Sequence, residues 1–292
     1  MRLGGFYAAD SAADLDALCE RLDRHGLSAI SAPGRLADMP DEECDAFGER
    51  ARELGLVIGE AGMWDSLMTP DPALQTERIE RIRTLLSKAN LMGCRCVVSL
   101  VGSPDPSDLP LAPHPVLFTK EGAGRFREIV LRILDGLELT RTRYAIEPWR
   151  TSFFFEPEGI AEFIASVDHP RFALHLDLVN MVDRRDYVDT AGLAERTFAL
   201  LSDRIVGAHL KDLRWDPEYM ALRWDEVLVG DGVMDYPAYL RGLAALDPDL
   251  PCFCEHLPTE ADYAENFARL RRIAAAEGLR FLPRDPYEGA PR

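Results

Sequence analysis

The 292-residue sequence has no uncharged apolar run of about 18 residues, the length that a membrane-spanning helix requires. Its first residues, MRLGGFYAAD, lack a basic segment followed by a long apolar core, so we expect no signal peptide. Basic residues are also few, because 33 Lys and Arg stand against 50 Asp and Glu, which gives a formal net charge of −17. Such a surface repels phosphate backbones, so we expect neither nucleic acid nor a membrane as partner.

Cysteine is sparse, with six residues in the chain. Cys94 and Cys96 are two positions apart, as are Cys252 and Cys254, and this spacing puts each pair on one face of a strand. Zinc sites usually have about two to four residues between paired cysteines, so a zinc site is not expected here. We expect reduced thiols in a cytoplasmic protein.

What the sequence does contain is an alternation of short apolar runs with amphipathic helical patterns. Strands that alternate with helices predict a parallel sheet, and about eight such units predict an α/β fold, a single (β/α)8 TIM barrel over residues 1–292. An open doubly wound sheet usually has a glycine-rich first turn, which YAADSAAD lacks. We expect residues 283–292 to be a mobile tail. The apolar runs are LGGFYA, LSAISA, LVIGEAG, CRCVVSLVG, RYAIEPW, FALHLDLV, IVGAHLKD and PCFCEHL, and the clearest helical patterns cover 11–26, 76–93, 122–137, 236–246 and 261–278.

The last four predicted strands each carry one side chain of a metal-ligand type near the carboxyl end. Because these ends surround the active site of such barrels, we expect the four side chains to converge. Side chains alternate along a strand, and the opposite face of each run is mostly apolar, as a face covered by helices must be. Three ionised carboxylates would repel one another without a cation. Oxygen-rich ligation with one nitrogen suits one divalent ion, Mn²⁺ or Mg²⁺, with Co²⁺ or Zn²⁺ as alternatives, bound by Glu147, Asp177, His209 and Glu255.

These motifs resemble the xylose isomerase-like TIM barrel family, which includes sugar isomerases and epimerases, inosose dehydratase, hydroxypyruvate isomerase and endonuclease IV. The resemblance covers nearly the whole chain and includes the four strand-end residues, the run His-Leu-Lys-Asp at 209–212, GEAGMW and GDGVMDYPAYL. One position departs, because the family often has His three residues after the Asp, where this chain has Asn180. Asn can hydrogen-bond a hydroxyl group but carries no proton at neutral pH.

The resemblance implies a metal-dependent isomerase or epimerase of a sugar or polyol-derived hydroxy-ketone, in carbohydrate metabolism. Glu147 and Glu255 would transfer the proton, and the metal would stabilise an enediolate. The same first step could instead lead to loss of water from a keto-inositol-like substrate, a lyase reaction that Asn180 favours. A non-catalytic sugar-binding barrel stays open. A three-zinc DNA-repair nuclease is disfavoured by the six histidines and the acidic surface.

Further residues near the strand ends are candidates for substrate binding. Lys211 lies two positions after His209 and should face the same cavity, whereas His175 should be a hydrogen-bonded core residue below the metal. Aromatic side chains in the mouth loops can stack on a sugar ring. The sequence leaves a homo-oligomer open. The candidate substrate-binding residues are Asn180, Lys211, Arg214, Glu60, Trp64 and Trp149.

Overall fold

The computed structural model describes residues 1–5 and 7–286, and its centre is a closed barrel of eight parallel strands. The barrel strands are β1 (Arg2–Gly4), β2 (Ala29–Ser31), β3 (Val57–Met63), β4 (Cys96–Ser99), β5 (Arg143–Ile146), β6 (Phe172–Asp177), β7 (Ile205–Leu210) and β10 (Pro251–Cys254). Their order around the barrel is β1, β10, β7, β6, β5, β4, β3 and β2, which closes on β1. The predicted (β/α)8 TIM barrel fold is confirmed.

Helices cover the outside of the barrel, and their ends follow the signals in the sequence. In α3 (Pro72–Met92), the Asp71 carboxylate accepts hydrogen bonds from two backbone amides of the first turn, and Gly93 ends the helix with a φ of +79°. The predicted apolar stripe of this helix, which includes Ile79 and Leu86, is buried. The other helices are α1 (Leu15–His25), α2 (Asp41–Glu53), α4 (Lys120–Leu134), α5 (Pro157–Val167), α6 (Leu178–Met181), α7 (Thr190–Leu201), α8 (Tyr236–Ala244) and α9 (Glu260–Ala276). None of the helices in the described ranges is long and apolar enough to cross a membrane.

The lower part of the barrel interior is packed around the ring of Phe253. A Cβ atom at Gly4 or at Gly59 would lie 2.5 Å from this ring, so both positions need glycine for the ring to fit. The pairing of β2 with β3 shifts by one residue at Gly59, which makes a bulge. A bulge redirects the side chains that follow it, and Glu60 pairs in register with the interior residue Cys96 of β4. This packing leaves the upper interior to polar residues.

Two details differ from the simple alternation that the sequence suggested. Val206 lies three positions before His209, so simple alternation would turn it towards the helices. It packs instead with the interior residues Ala145 and Ala173, because the pairing of β6 with β7 shifts next to it. Cys94 and Cys96 do not share a face, since β4 begins only at Cys96 and Cys94 packs in the outer core. All six cysteines are free and buried.

A two-stranded hairpin follows β7 and precedes α8. It consists of β8 (Asp212–Trp215) and the antiparallel β9 (Trp224–Val227). At its base, the buried Asp212 carboxylate accepts hydrogen bonds from four backbone amides, those of Leu213, Gly230, Gly232 and Met234. Asp212 thereby ties the start of the hairpin to the glycine loop before α8.

The described part of the expected mobile tail, residues 283–286, lies against the amino-terminal side of the barrel. The Arg284 guanidinium forms an ion pair with Asp23, at 2.6 Å, and donates a hydrogen bond to the carbonyl oxygen of Leu54. Residues 287–292 of the same predicted tail lie outside the described residues.

Candidate metal centre

Four neighbouring barrel strands bring the predicted ligands together. Glu147 directly follows β5, Asp177 ends β6, His209 lies in β7 and Glu255 directly follows β10. All four side chains are buried, and each offers a ligand atom within 4.8 Å of the others. We call these four residues the ligand ring. The strand-end reasoning predicted this juxtaposition, and the structure brings all four together.

The His209 imidazole lies at the centre of the ligand ring. Its Nδ1 is 2.8 Å from Glu255 Oε1, 3.4 Å from Glu147 Oε1 and 3.5 Å from Asp177 Oδ2. Burial alone would lower the pKa of His209, but the surrounding carboxylates, Glu255 first among them, raise it well above its ordinary value. The direction of this shift is the one expected for an imidazole surrounded by carboxylates.

Below the ring, a fourth carboxylate contacts the other nitrogen of the same imidazole. Glu60 Oε2 is 3.3 Å from His209 Nε2 and 2.8 Å from His175 Nε2. Burial alone would raise the pKa of Glu60, but His209 and His175 together hold it well below its ordinary value. A charged Glu60 favours the proton of His209 on Nε2, the arrangement in which Nδ1, the nitrogen facing the ligand ring, can serve as the metal ligand.

The placement of Glu60 changes its assignment. The sequence suggested a substrate contact at the mouth of the barrel, but the side chain is 1% exposed and lies beneath the ligand ring. The bulge at Gly59 explains this, since it turns Glu60 towards the interior. His175 lies beside it as a fully buried residue, in the layer where the sequence predicted a core histidine.

Two side chains from other segments of the chain, one in α6 and one after β3, hydrogen-bond to Glu147. The Asn180 amide donates a hydrogen bond to Glu147 Oε1 at 2.8 Å, and the Trp64 indole donates one to Glu147 Oε2 at 3.2 Å. The backbone N–H of Asn180 also donates to Asp177 Oδ1 at 3.1 Å, because Asp177 caps the short helix α6. Asn180 therefore contacts two members of the ligand ring, and its amide cannot take up a proton as a histidine could.

Lys211 reaches into the ligand ring itself. Its Nζ is 2.8 Å from Asp177 Oδ2, is ion-paired with Glu255 Oε1, and is 3.9 Å from Glu147 Oε1. Burial alone would lower the pKa of Lys211, but these carboxylates, Asp177 first, raise it well above its ordinary value. The side chain is 2% exposed, so the ammonium group is held among the carboxylates rather than in solvent.

The donor set of the ligand ring fits a divalent cation. Within the described part of the chain, Asp177 Oδ2 and Glu255 Oε1 are buried, and the groups that contact them are the basic side chains Lys211 and His209. Buried carboxylate oxygens of this kind are costly unless a cation binds them. Three carboxylates and one imidazole suit Mn²⁺ or Mg²⁺, and also Co²⁺ or Zn²⁺.

A cavity of about 300 Å³ adjoins the ligand ring on the side of Glu255 and Lys211. Arg214, exposed on β8, lines it, as the sequence suggested for a substrate contact. Trp64 is 40% exposed beside Glu147, and Trp149 is half-buried on the loop after β5. Trp64 contacts the ligand ring through its hydrogen bond to Glu147.

Two residues at this cavity escaped the sequence reasoning. His256 follows Glu255 directly with a φ of +57°, and its Nδ1 is 3.0 Å from Glu226 Oε2 on β9. Its Nε2 is 3.5 Å from Glu255 Oε2. The sequence did contain a signal for His256, because this histidine directly follows a strand-end carboxylate in the run CFCEH. The sequence contained no such signal for Glu226, because its position depends on the pairing of β8 with β9.

A profile of the xylose isomerase-like TIM barrel family matches residues 14–273 of the sequence. The chain belongs to this family. Its ligand ring therefore lies where the family resemblance placed the metal ligands, at the carboxyl ends of the strands. No curated protein sequence matches the chain.

Several solved structures share the fold of this chain at low sequence identity. A xylose isomerase-like TIM barrel protein from Mycobacterium smegmatis, in complex with magnesium, has 18% identity and a TM-score of 0.63, over 91% of this chain and 90% of that one. The 3-keto-D-glucoside 4-epimerase YcjR from E. coli has 17% identity and a TM-score of 0.64, over 93% and 99%. The IolI protein with a bound zinc atom has 17% identity and a TM-score of 0.66, over 95% and 98%.

We predict that Glu60→Gln weakens metal binding by roughly tenfold to a hundredfold, the usual effect of losing a carboxylate behind a ligating histidine. The amide keeps the volume of Glu60 but no longer favours the Nε2–H form of His209. Titration of chelator-treated protein with Mn²⁺ measures the change. Glu49 is exposed on α2, so the variant Glu49→Gln serves as the control. This variant should bind Mn²⁺ as tightly as the unmodified protein does. Equal affinity in both variants would remove the orienting role of Glu60.

Proposed function

We propose that this protein is a divalent-metal-dependent isomerase or epimerase of a hydroxy-ketone derived from a sugar or polyol. The observation that carries the proposal is the ligand ring, in which three buried carboxylates and one imidazole meet beside a cavity. When bound there by Glu147, Asp177, His209 and Glu255, the cation supplies the positive charge that stabilises an enediolate. Mn²⁺ or Mg²⁺ is the proposed ion, with Co²⁺ or Zn²⁺ as alternatives.

The chain supplies the proton transfers. Glu147 and Glu255 follow β5 and β10, which are separated around the barrel by β6 and β7, so the two carboxylates approach from different sides. One carboxylate takes the proton from the carbon next to the carbonyl, the electrons of that C–H bond form a C=C bond, and the π electrons of the C=O bond move to the carbonyl oxygen, which gives the enediolate. The other carboxylate returns a proton, either to the opposite face or to the neighbouring carbon.

Several side chains would orient Glu147 and bind the substrate. Asn180 and Trp64 each hold one oxygen of Glu147, which fixes the direction of its remaining lone pairs. The exposed faces of Trp64 and Trp149 are suited to stack on a sugar ring. Arg214 at the cavity is suited to a polar or anionic substituent.

A dehydratase of a keto-inositol-like substrate is the second candidate, and Asn180 favours it. Asn180 occupies the position where the family often has an acid–base histidine, and here it donates a hydrogen bond to Glu147. A second proton carrier at this position is therefore missing, whereas elimination of water begins with the same proton loss next to a carbonyl. The two reactions differ in whether the substrate loses a hydroxyl group.

The related structures support the proposed metabolic role, and the cysteines support the proposed cellular location. One related structure is a 3-keto-D-glucoside 4-epimerase, and two others contain magnesium or zinc. We place the protein in carbohydrate metabolism with a small sugar or polyol as its partner. The six buried free thiols support a reducing, cytoplasmic location.

The test is incubation of Mn²⁺-loaded protein with a panel of keto sugars and keto-inositols in D₂O. An isomerase or epimerase should put deuterium on the carbon next to the carbonyl and give a product with the same carbon and oxygen count. An ultraviolet enone signal would identify the dehydratase instead. Chelator-treated protein is the control. If the metal-loaded protein does neither with any member of the panel, a non-catalytic sugar-binding barrel replaces the proposal.

A further inference from the structure

The ammonium group of Lys211 faces the same three carboxylate oxygens that face His209 Nδ1. These atoms are Glu147 Oε1, Asp177 Oδ2 and Glu255 Oε1, and the second and third are in direct contact with Nζ. They are also the oxygens that a cation in the ligand ring would bind. Two positive charges that share these oxygens in a buried site repel each other strongly, because water does not screen them.

A fourth carboxylate lies within reach of the same ammonium group on the cavity side. Glu226 Oε1 is 3.9 Å from Lys211 Nζ, and both residues line the cavity beside the ligand ring. Glu226 is about a third exposed, whereas the ring carboxylates are buried. The four-carbon stem of lysine is flexible enough for the ammonium group to move between carboxylates this close together.

We propose that Lys211 and the divalent ion are alternative partners of the ring carboxylates, and that Lys211 moves to Glu226 when the ion binds. In the ring, the ammonium group offsets the repulsion among three buried carboxylates. Beside Glu226, it lies in the cavity, where it can bind a substrate oxygen. The inference rests on the proposed metal site and adds that one residue couples metal loading to substrate binding.

The variants Lys211→Met and Glu226→Gln test this coupling in opposite directions. In Mn²⁺ titrations of chelator-treated protein, Lys211→Met should bind about tenfold more tightly, because the competitor is gone. Glu226→Gln should bind more weakly, because the displaced ammonium group loses its second position. Lys120→Met, which removes an exposed lysine from the start of α4, is the matched control and should not change Mn²⁺ affinity.

The double variant separates displacement from a simple change of charge near the ring. If Glu226 acts by receiving Lys211, Glu226→Gln should have no effect on Mn²⁺ affinity once Lys211 is Met. A general electrostatic effect would weaken binding equally in both backgrounds and would overturn the inference. Tighter binding in Lys211→Met should be accompanied by a lower Tm of the chelator-treated protein and a larger rise in Tm on adding Mn²⁺.

Two further results distinguish a failure of the proposed metal function from a failure of the Lys211 inference. If the unmodified protein binds no Mn²⁺, the proposed metal function fails, and the inference falls with it. If the unmodified protein binds Mn²⁺ but Lys211→Met binds it no more tightly, only the inference is overturned. Should Lys211→Met fail to fold, the surface variant Glu226→Gln still decides, because unchanged affinity there contradicts the proposal. With an identified substrate, Lys211→Met should raise KM more than it lowers kcat.

Discussion

Replacement of Glu147 or Glu255 by Gln should lower turnover by roughly a hundredfold or more, the usual contribution of a general base. Glutamine keeps the size of the side chain and one ligating oxygen, but it cannot accept the substrate proton. The metal should therefore still bind, more weakly, while the chemistry fails. Steady-state kinetics on the substrate found in the D₂O panel, with Mn²⁺ affinity measured alongside, separates the two effects.

The control for this experiment is Glu49→Gln, the same chemical change at an exposed position of α2. It should leave both turnover and Mn²⁺ affinity unchanged. Full activity in both Glu147→Gln and Glu255→Gln would show that these residues are ligands only, and the two-carboxylate mechanism would fail. Loss of activity in one variant alone would assign the proton transfer to that residue.

The variant Asp212→Ala should lower the free energy of unfolding by about 3 kcal/mol, because it leaves two buried and two partly buried amides without an acceptor. The carboxylate accepts hydrogen bonds of 2.8 to 3.2 Å from four backbone N–H groups, one in β8 and three in the glycine loop before α8. The glycine loop lies close to this carboxylate, since a Cβ atom at Gly232 would lie 2.1 Å from Asp212 Oδ1. No neighbouring side chain can therefore easily replace the carboxylate when it is removed. Equilibrium denaturation in urea measures the change.

The control for Asp212 lies on the same hairpin. Asp225→Ala removes a partly exposed carboxylate that pairs with Arg223, and surface changes of this kind usually stay within about 0.5 kcal/mol. Asp212→Asn keeps one acceptor oxygen and should fall between Ala and the unmodified protein. If Asp212→Ala unfolds at the same urea concentration as the unmodified protein, the carboxylate does not hold the hairpin base.

The ligand ring could be predicted from the sequence because its cause is local. A strand alternates with a period of two, so a carboxylate at the end of an otherwise apolar run points to the same side as the interior residue two positions before it. Glu147 and Asp177 follow this rule in the structure. The barrel then brings the strand ends together, and the number of strand–helix units predicts the barrel.

The residues that the sequence did not place depend on contacts between distant segments. Glu60 turns into the interior because the pairing of β2 with β3 shifts at Gly59, and no local pattern reveals such a shift. Glu226 reaches the cavity because β8 and β9 pair, and His256 faces it because its backbone adopts a positive φ. The position of Lys211 within the ring depends on its rotamer, which the alternation of the strand does not determine.

The central claim is that the ligand ring binds a divalent ion, and the most direct measurement is the metal content of the protein. Protein purified without chelator should contain about one divalent ion per chain, and chelator-treated protein should take up about one Mn²⁺ with a rise in Tm. Asp177→Ala, which removes a buried carboxylate from the ring, should lose the ion. An absence of metal in the purified protein, together with no change in Tm on adding Mn²⁺, would contradict the account.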